Sequence, residues 1–227
     1  MRFTFKKAPS DAMHENALQM FSVKVTATTG GLPFDVFGMF AMRDCIDHNR
    51  NIVFCRTRDN CQTLTEEHPY LVLTGPTRAV LLESPPPVFI EVDLTVKGTT
   101  DSEDEKLSSL VVPISSSSTI TSNPVYHTSV NDEEFILLNS GGEKVPVTGD
   151  GDIKLSRCVV SVDTTGLLKV HIKAWGGDNN VMETWKVFKP LDAGISNSML
   201  DIGFCKMDVT VAWSLILYKQ VYANTRL

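Results

Sequence analysis

No stretch of this 227-residue chain reaches the roughly 18 consecutive apolar residues that a membrane-spanning helix requires. The longest apolar run, Val209 to Leu217, is interrupted by Thr210 and Ser214, so no membrane crossing is expected. The first eleven residues hold no apolar block of a secretory leader, which points to the cytosol, with the nucleus as the other compartment. No run of Lys or Arg occurs, and the net charge is −6 with a pI of about 5.4. Phosphate binding rests on clustered cations, so a nucleic-acid partner is disfavoured and a protein partner preferred.

The chemistry of common catalytic and metal sites is missing as well. There are five cysteines, an odd number, and no pair of them has the C-x₂₋₄-C spacing of a zinc site. They are expected to be reduced and mostly buried as small hydrophobes. No G-x-S-x-G elbow is present. Cys61 with His68 is the one short-range Cys/His pair that could serve nucleophilic catalysis, but such pairs rarely meet productively, and an exposed loop histidine is the common alternative. No Gly-rich loop opens a helix, and Gly149-Asp150-Gly151-Asp152 carries two carboxylates that would repel phosphate, so it reads as a hairpin turn. Asp150, Asp152 and the acidic run at residues 101–105 do not have calcium-loop spacing. No cofactor and no metal are expected, and no enzymatic activity.

A strong period of two is present. Phe21, Val23, Val25 and Ala27 alternate with polar residues, as do Ile90, Val92, Leu94 and Val96. So do Leu168, Val170, Ile172 and Ala174, and Met207, Val209, Val211, Trp213 and Leu215. Successive strand side chains point to opposite faces, so each run buries one face and wets the other. Residues 36–43, 52–58, 70–73, 78–82, 135–138 and 157–162 are further strand candidates, and residues 159–174 read as a hairpin around Asp163-Thr164-Thr165-Gly166. Residues 11–20 could make about two helical turns behind Ser10 as a cap. With 42% hydrophobic residues, the chain has enough apolar surface for a real core.

These signals predict an all-β, mostly antiparallel two-sheet β-sandwich with a long flexible internal loop. One sandwich domain would span residues 21–215, with extensions at 1–20 and 216–227. Residues 97–131, with their acidic run and serine tract, would be loop-rich and partly disordered, with short strands around Leu110–Ile114 able to dock on the sheet.

Arg56, Arg58, Arg78 and Trp185 are the candidate partner- or anion-binding residues. Arg56 and Arg58 are two apart, which would place them on one strand face. Ion pairing with Asp44, Asp59 or Glu66 is the structural alternative. Trp213 has the parity of its strand's apolar face and should be core, with Met207, Val209 and Val211 beside it. Trp185 lies in a mixed run that assigns it to neither face.

Three segments together resemble a family of plant proteins, expanded in grasses, named only as domain of unknown function 6598. The first runs from Phe21-Ser22-Val23-Lys24-Val25 through Val36-Phe37-Gly38 to Arg43-Asp44. The second holds Arg58-Asp59-Asn60-Cys61-Gln62, Pro69-Tyr70-Leu71 and Leu73-Thr74-Gly75-Pro76-Thr77-Arg78. The third holds Ile153-Lys154-Leu155-Ser156-Arg157, Asp201-Ile202-Gly203 and the stretch from Cys205 to Ser214. The resemblance implies a β-rich fold without an established activity. In some members it implies company with a ribosome-inactivating N-glycosidase domain, whose Glu-Ala-x-Arg hallmark this chain lacks. The middle departs from the family pattern, with a Ser-rich stretch where relatives carry strand-forming sequence. The functional expectation is a non-enzymatic cytosolic binding or interaction domain of a plant protein, linked to stress or defence. The alternative is an accessory or regulatory module of translation. Purified chain incubated with ribosomes should release no specific rRNA fragment on aniline treatment; a released fragment would overturn the non-enzymatic expectation.

Overall fold

The computed structural model describes residues 5, 7, 10, 12, 14–25, 31–46, 49–82, 87–114, 135–140, 144–175 and 181–216. Its contacts group into two compact units, one of Asn16–Val160 and one of Met1–Glu15 with Ser161–Leu227. The sequence reading assigns 21–215 to one sandwich; the contacts draw a boundary between residues 160 and 161.

Within the first unit the strands are β1 (Ala17–Leu18), β2 (Phe34–Arg43), β3 (Asn51–Arg56), β4 (Gln62–Leu64), β5 (Val80–Leu81), β6 (Val88–Val96) and β7 (Glu105–Ile114). The main sheet has the order β3-β2-β6-β7, with β4 paired to the start of β2. All its pairings are antiparallel, and Phe40 lies opposite Phe54 on one side and Val92 on the other. Val36, Phe40, Met42, Val88 and Leu94 present one face of this sheet to the core. A second layer covers that face. It is built from residues 16–25 running beside 69–71 and 80–82, through the β1–β5 pairing, the Lys24–Tyr70 bridge and the bond from Leu71 N–H to Val23 O at 2.9 Å. Leu71, Leu73 and Val80 are fully part of the core, and Leu18, Met20, Val23 and Val25 pack against it.

The second unit holds β8 (Leu168–Trp175), β9 (Val181–Phe188), β10 (Ala193–Asp201) and β11 (Lys206–Ser214). β8 pairs antiparallel with β9, and β10 with β11. Trp213 is 8% exposed, and Met207, Val209 and Val211 share its face as half-buried neighbours. Its indole N–H donates to Ser196 Oγ at 2.9 Å across the β10–β11 ladder, which satisfies the one polar atom that burial would strand.

The all-β, antiparallel expectation holds, with several local corrections. The short strand expected around Leu110–Ile114 is longer, since residues 105–114 form the ten-residue strand β7. A single 3-10 turn at Asp101–Glu103 precedes it, capped reciprocally by Thr100 and Glu103. β7 is an edge strand in the sheet order, which is where Pro113, lacking an amide donor, is tolerated. Leu110, Val111 and Val112 are exposed along it. The rest of the expected loop, 115–131, lies outside the described residues.

Residues 14–20 carry no helix and instead contribute β1. Residues 70–73, 135–138 and 157–162 are irregular rather than strands, and 21–25 makes a single bridge. The turn at Asp163–Gly166 exists, with Gly166 N–H bonded to Asp163 O at 3.0 Å, but β8 pairs forward with β9 instead of back onto 159–162. Turns need only local chemistry, whereas a strand needs a partner, and β9 is the better partner. The extension at 217–227 also lies outside the described residues.

Replacing Trp213 with Ala should cost about 3–5 kcal/mol, read from the urea midpoint at unchanged slope. A loss below about 1 kcal/mol would show that this face does not support the β10–β11 unit.

Candidate functional site

The segment most like a signature, Thr74-Gly75-Pro76-Thr77-Arg78, is held from every side. Thr74 and Gly75 donate their N–H groups to Val53 O at 2.8 and 3.2 Å, so the backbone lies directly on β3. A Cβ on Gly75 would sit 1.8 Å from Ile52 O, so only glycine fits this approach. Buried Asn51 accepts the Thr77 N–H at Oδ1 (2.8 Å) and donates from Nδ2 to Arg78 O (2.8 Å). Arg78 then forms a bidentate pair with buried Asp44, at 2.7 and 2.8 Å. Asp44 also accepts the N–H groups of Leu81 (2.9 Å) and Ile46 (3.1 Å). Asp44 thus receives four donors, the satisfaction a buried carboxylate requires.

Arg157 completes the assembly. It is 3% exposed, and its guanidinium donates to the carbonyls of Gly75 (3.0 Å), Phe21 (3.0 Å) and Met20. The Phe135 ring lies against the guanidinium, 3.6 Å from centroid to Cζ. Burial lowers its pKa to about 10. At neutral pH it stays charged. The Ile153–Arg157 part of the resemblance therefore has a structural role, and so does Arg78.

Arg58 is also engaged internally. β3 ends at Arg56, and Arg58 opens a 3-10 turn at Arg58–Asn60, so the two arginines do not share a strand face as the spacing suggested. Arg58 bonds Asp104 from Nε at 3.0 Å, approaches Asp101 at 2.9 Å and donates to Gly98 O at 2.9 Å. Its partners come from the loop before β7 rather than from Asp44, Asp59 or Glu66. The hydrogen bond from Arg58 holds the Asp104 carboxyl below the usual range, helped by the Gly98 N–H. The same bond raises Arg58. Arg43 and Arg50 both reach Glu91, at 2.5 Å each. Arg56 is half-buried in β3 opposite Gly38.

Trp185 is set differently. It lies on β9 opposite His171, 51% exposed. Directly opposed residues of an antiparallel pair share a face. One face of the β8–β9 ribbon therefore carries the pairs Lys169–Val187, His171–Trp185, Lys173–Glu183 and Trp175–Val181. Trp175 is 66% exposed, and Val181 and Val187 are exposed too. Lys169 Nζ stands 4.8 Å over the Trp185 ring, Lys173 Nζ is 5.8 Å from the Trp175 ring, and His171 meets Trp185 edge to face. His171 Nε2 is 3.4 Å from Glu183. The sequence offers Trp175 beside Trp185 and Trp213 as a stacking residue without placing it on a face, and it gives Lys169 only the solvated parity of the run 168–174. The signal that could have placed them was the tryptophan closing that polar parity.

The cysteine expectation is corrected. Cys55, Cys158 and Cys205 are exposed, and Cys45 and Cys61 are half-buried. Cys55 falls on the solvent side of β3, and Cys205 lies in the turn between β10 and β11. Cys61 has Lys97 Nζ at 3.9 Å, while His68 turns its backbone to Thr65. Among the described residues no group of three His, Cys, Asp or Glu side chains is placed to hold a metal. Gly149-Asp150-Gly151-Asp152 is the expected turn, closed by the Val147–Ile153 bridge.

Two outcomes follow from these contacts. Arg157→Met should destabilise the chain by at least about 3 kcal/mol, since three buried carbonyls lose a donor at about 1–3 kcal/mol each. Denaturant titration reads this, and Arg157→Lys should recover part of the loss. The depressed carboxyl of Asp104 stabilises the fold above the unfolded carboxylate value of about 3.9, and the contribution fades as pH falls through the lower folded value. Asp163, bonded by Thr165, and Asp201, bonded by Gly203, act with the same sign. The melting temperature should therefore fall in acid, and Asp104→Asn should flatten that acid limb while lowering stability near neutrality.

A family model described as domain of unknown function DUF6598 matches residues 17–130 and 115–211. No curated protein and no protein of solved structure matches the chain. Since the matched segments cover most of its length, the chain belongs to the DUF6598 family.

Proposed function

We propose that this chain is a non-enzymatic binding module that recognises a protein partner through the Trp-bearing face of the β8–β9 ribbon. The observation that supports this reading is the exposure of Trp175 and Trp185 on one face of a single hairpin. A Trp side chain carries about 150–250 Å² of surface, and tryptophans left outside in this way are frequent anchors of interfaces. The three other candidates lend less support. Arg58 and Arg78 are committed to internal carboxylates, so recruiting them would break pairs that hold loops in place. Arg56 belongs to β3 and is half-covered.

A binding reading also suits the placement of the nucleophile candidate, because Cys61 faces a lysine ammonium and not an imidazole base. The test is quantitative affinity capture with the tagged full chain and with the Trp175→Ala/Trp185→Ala variant, both from cells that express the chain. Proteins held by the first and lost from the second are expected. Equal capture by both would overturn the assignment of this face.

A further inference from the structure

We infer that the β8–β9 face takes an acidic polypeptide segment, one that carries carboxylates interspersed with aromatic or aliphatic side chains. This deepens the proposed binding function and rests on it.

The argument begins with charge. The chain as a whole is acidic, at −6, yet this face carries Lys169 and Lys173 against one carboxylate, Glu183. Glu183 is already placed between Lys173, its cross-strand partner, and His171 at 3.4 Å. Neither lysine forms an ion pair among the described residues; each stands over a tryptophan ring instead. A cation held on an aromatic face keeps its full charge and its unused N–H donors, and it is pre-positioned for a carboxylate.

Spacing comes next. Lys169 and Lys173 are four residues apart on one strand, hence about 14 Å. Trp185 and Trp175 stand in rows separated by the same four residues. A cation and an aromatic ring therefore recur together along the ribbon. A segment that satisfies both repeats presents its carboxylates about 14 Å apart, as positions i and i+4 of an extended strand do.

The apolar part decides between classes of partner. Single-stranded nucleic acid also combines stacking with negative charge. It would use the two rings but leave Val181 and Val187, both exposed on the same face, without a matching contact. The net charge of −6 would also oppose a phosphate backbone that runs beyond the ribbon. A polypeptide with apolar side chains between its acids covers the valines and meets the lysines, and its charge is local rather than continuous.

The experiment uses the purified full chain and follows tryptophan emission and co-sedimentation. The probes are a glutamate–tyrosine copolymer, a lysine–tyrosine copolymer and oligothymidylate. The glutamate–tyrosine copolymer should bind, weaken with added salt, and lose about tenfold in affinity with Lys169→Glu/Lys173→Glu, a change that leaves both rings in place. Trp175→Ala/Trp185→Ala should also lose about tenfold, and unchanged circular dichroism would show that the variants fold. Tighter binding of oligothymidylate, equal binding of the lysine–tyrosine copolymer, or indifference to the lysine reversal would overturn the inference. If cellular capture still depends on the two tryptophans while the acidic probe fails, the proposed face stands and only the partner class falls. If capture is independent of them, both fall.

Discussion

The first unit depends on one buried charge. Arg157 stands near the end of that unit's sequence, yet its guanidinium bonds backbone carbonyls at Met20, Phe21 and Gly75 and lies against the Phe135 ring. None of these four residues lies in a regular strand. Irregular backbone under a second layer leaves carbonyls without ladder partners, and each would be costly if it stayed unbonded. A planar donor fork meets three of them at once, which a lysine ammonium could not do with the same geometry. The depressed pKa, about 10, records the cost of placing the charge there, and the three acceptors show what retains it.

The turn at Thr74–Arg78 receives the same treatment from the other side. Asp44 and Asn51 come from the two strands β2 and β3 flank, one just after β2 and one opening β3, and together they anchor residues 77–81. Ladder bonds hold the main sheet, whereas polar side chains hold the layer laid over it. The residues that make this segment look like a motif are thereby committed to packing. Its glycine answers to the Ile52 carbonyl, its arginine to Asp44, and its carbonyl to Arg157.

What was legible in the sequence follows from range. β6, β8 and β11 are legible because their alternation is local, whereas the same alternation at 21–25 yields a single bridge, since a strand also needs a partner. β9 is not legible, since its Val-Met-Glu-Thr-Trp-Lys-Val-Phe run is exposed almost throughout and only Phe188 is buried. β10 mixes Gly, Ser and Asn into its ladder and shows no clean period. The end of β7 is legible as a short strand at Leu110–Ile114, but its acidic and serine-rich start is not. The arginine pairs were partly foreseen in kind but not in partner: Arg78 does take Asp44, while Arg58 takes carboxylates more than forty residues away. Exposure of the cysteines was misjudged because residue type predicts burial only on average, and the register shift beside β3 decides which of its residues face out. Of the site candidates, Trp185 keeps an outward position, and its companion Trp175 needed the β8–β9 register to be recognised.

The edge position of β7 has a consequence for the life of the chain before it is folded. Leu110-Val111-Val112-Pro113-Ile114 is an uncharged, β-prone stretch, and a nascent chain displays it before β6 has paired with it. Such stretches template stacking between copies. Pro113 interrupts any continuous intermolecular ladder, and Glu105 and Lys106 at the strand's start add charge that discourages close approach. The proline that marks a weak position in the sheet is thus also a guard against amyloid-like assembly during synthesis.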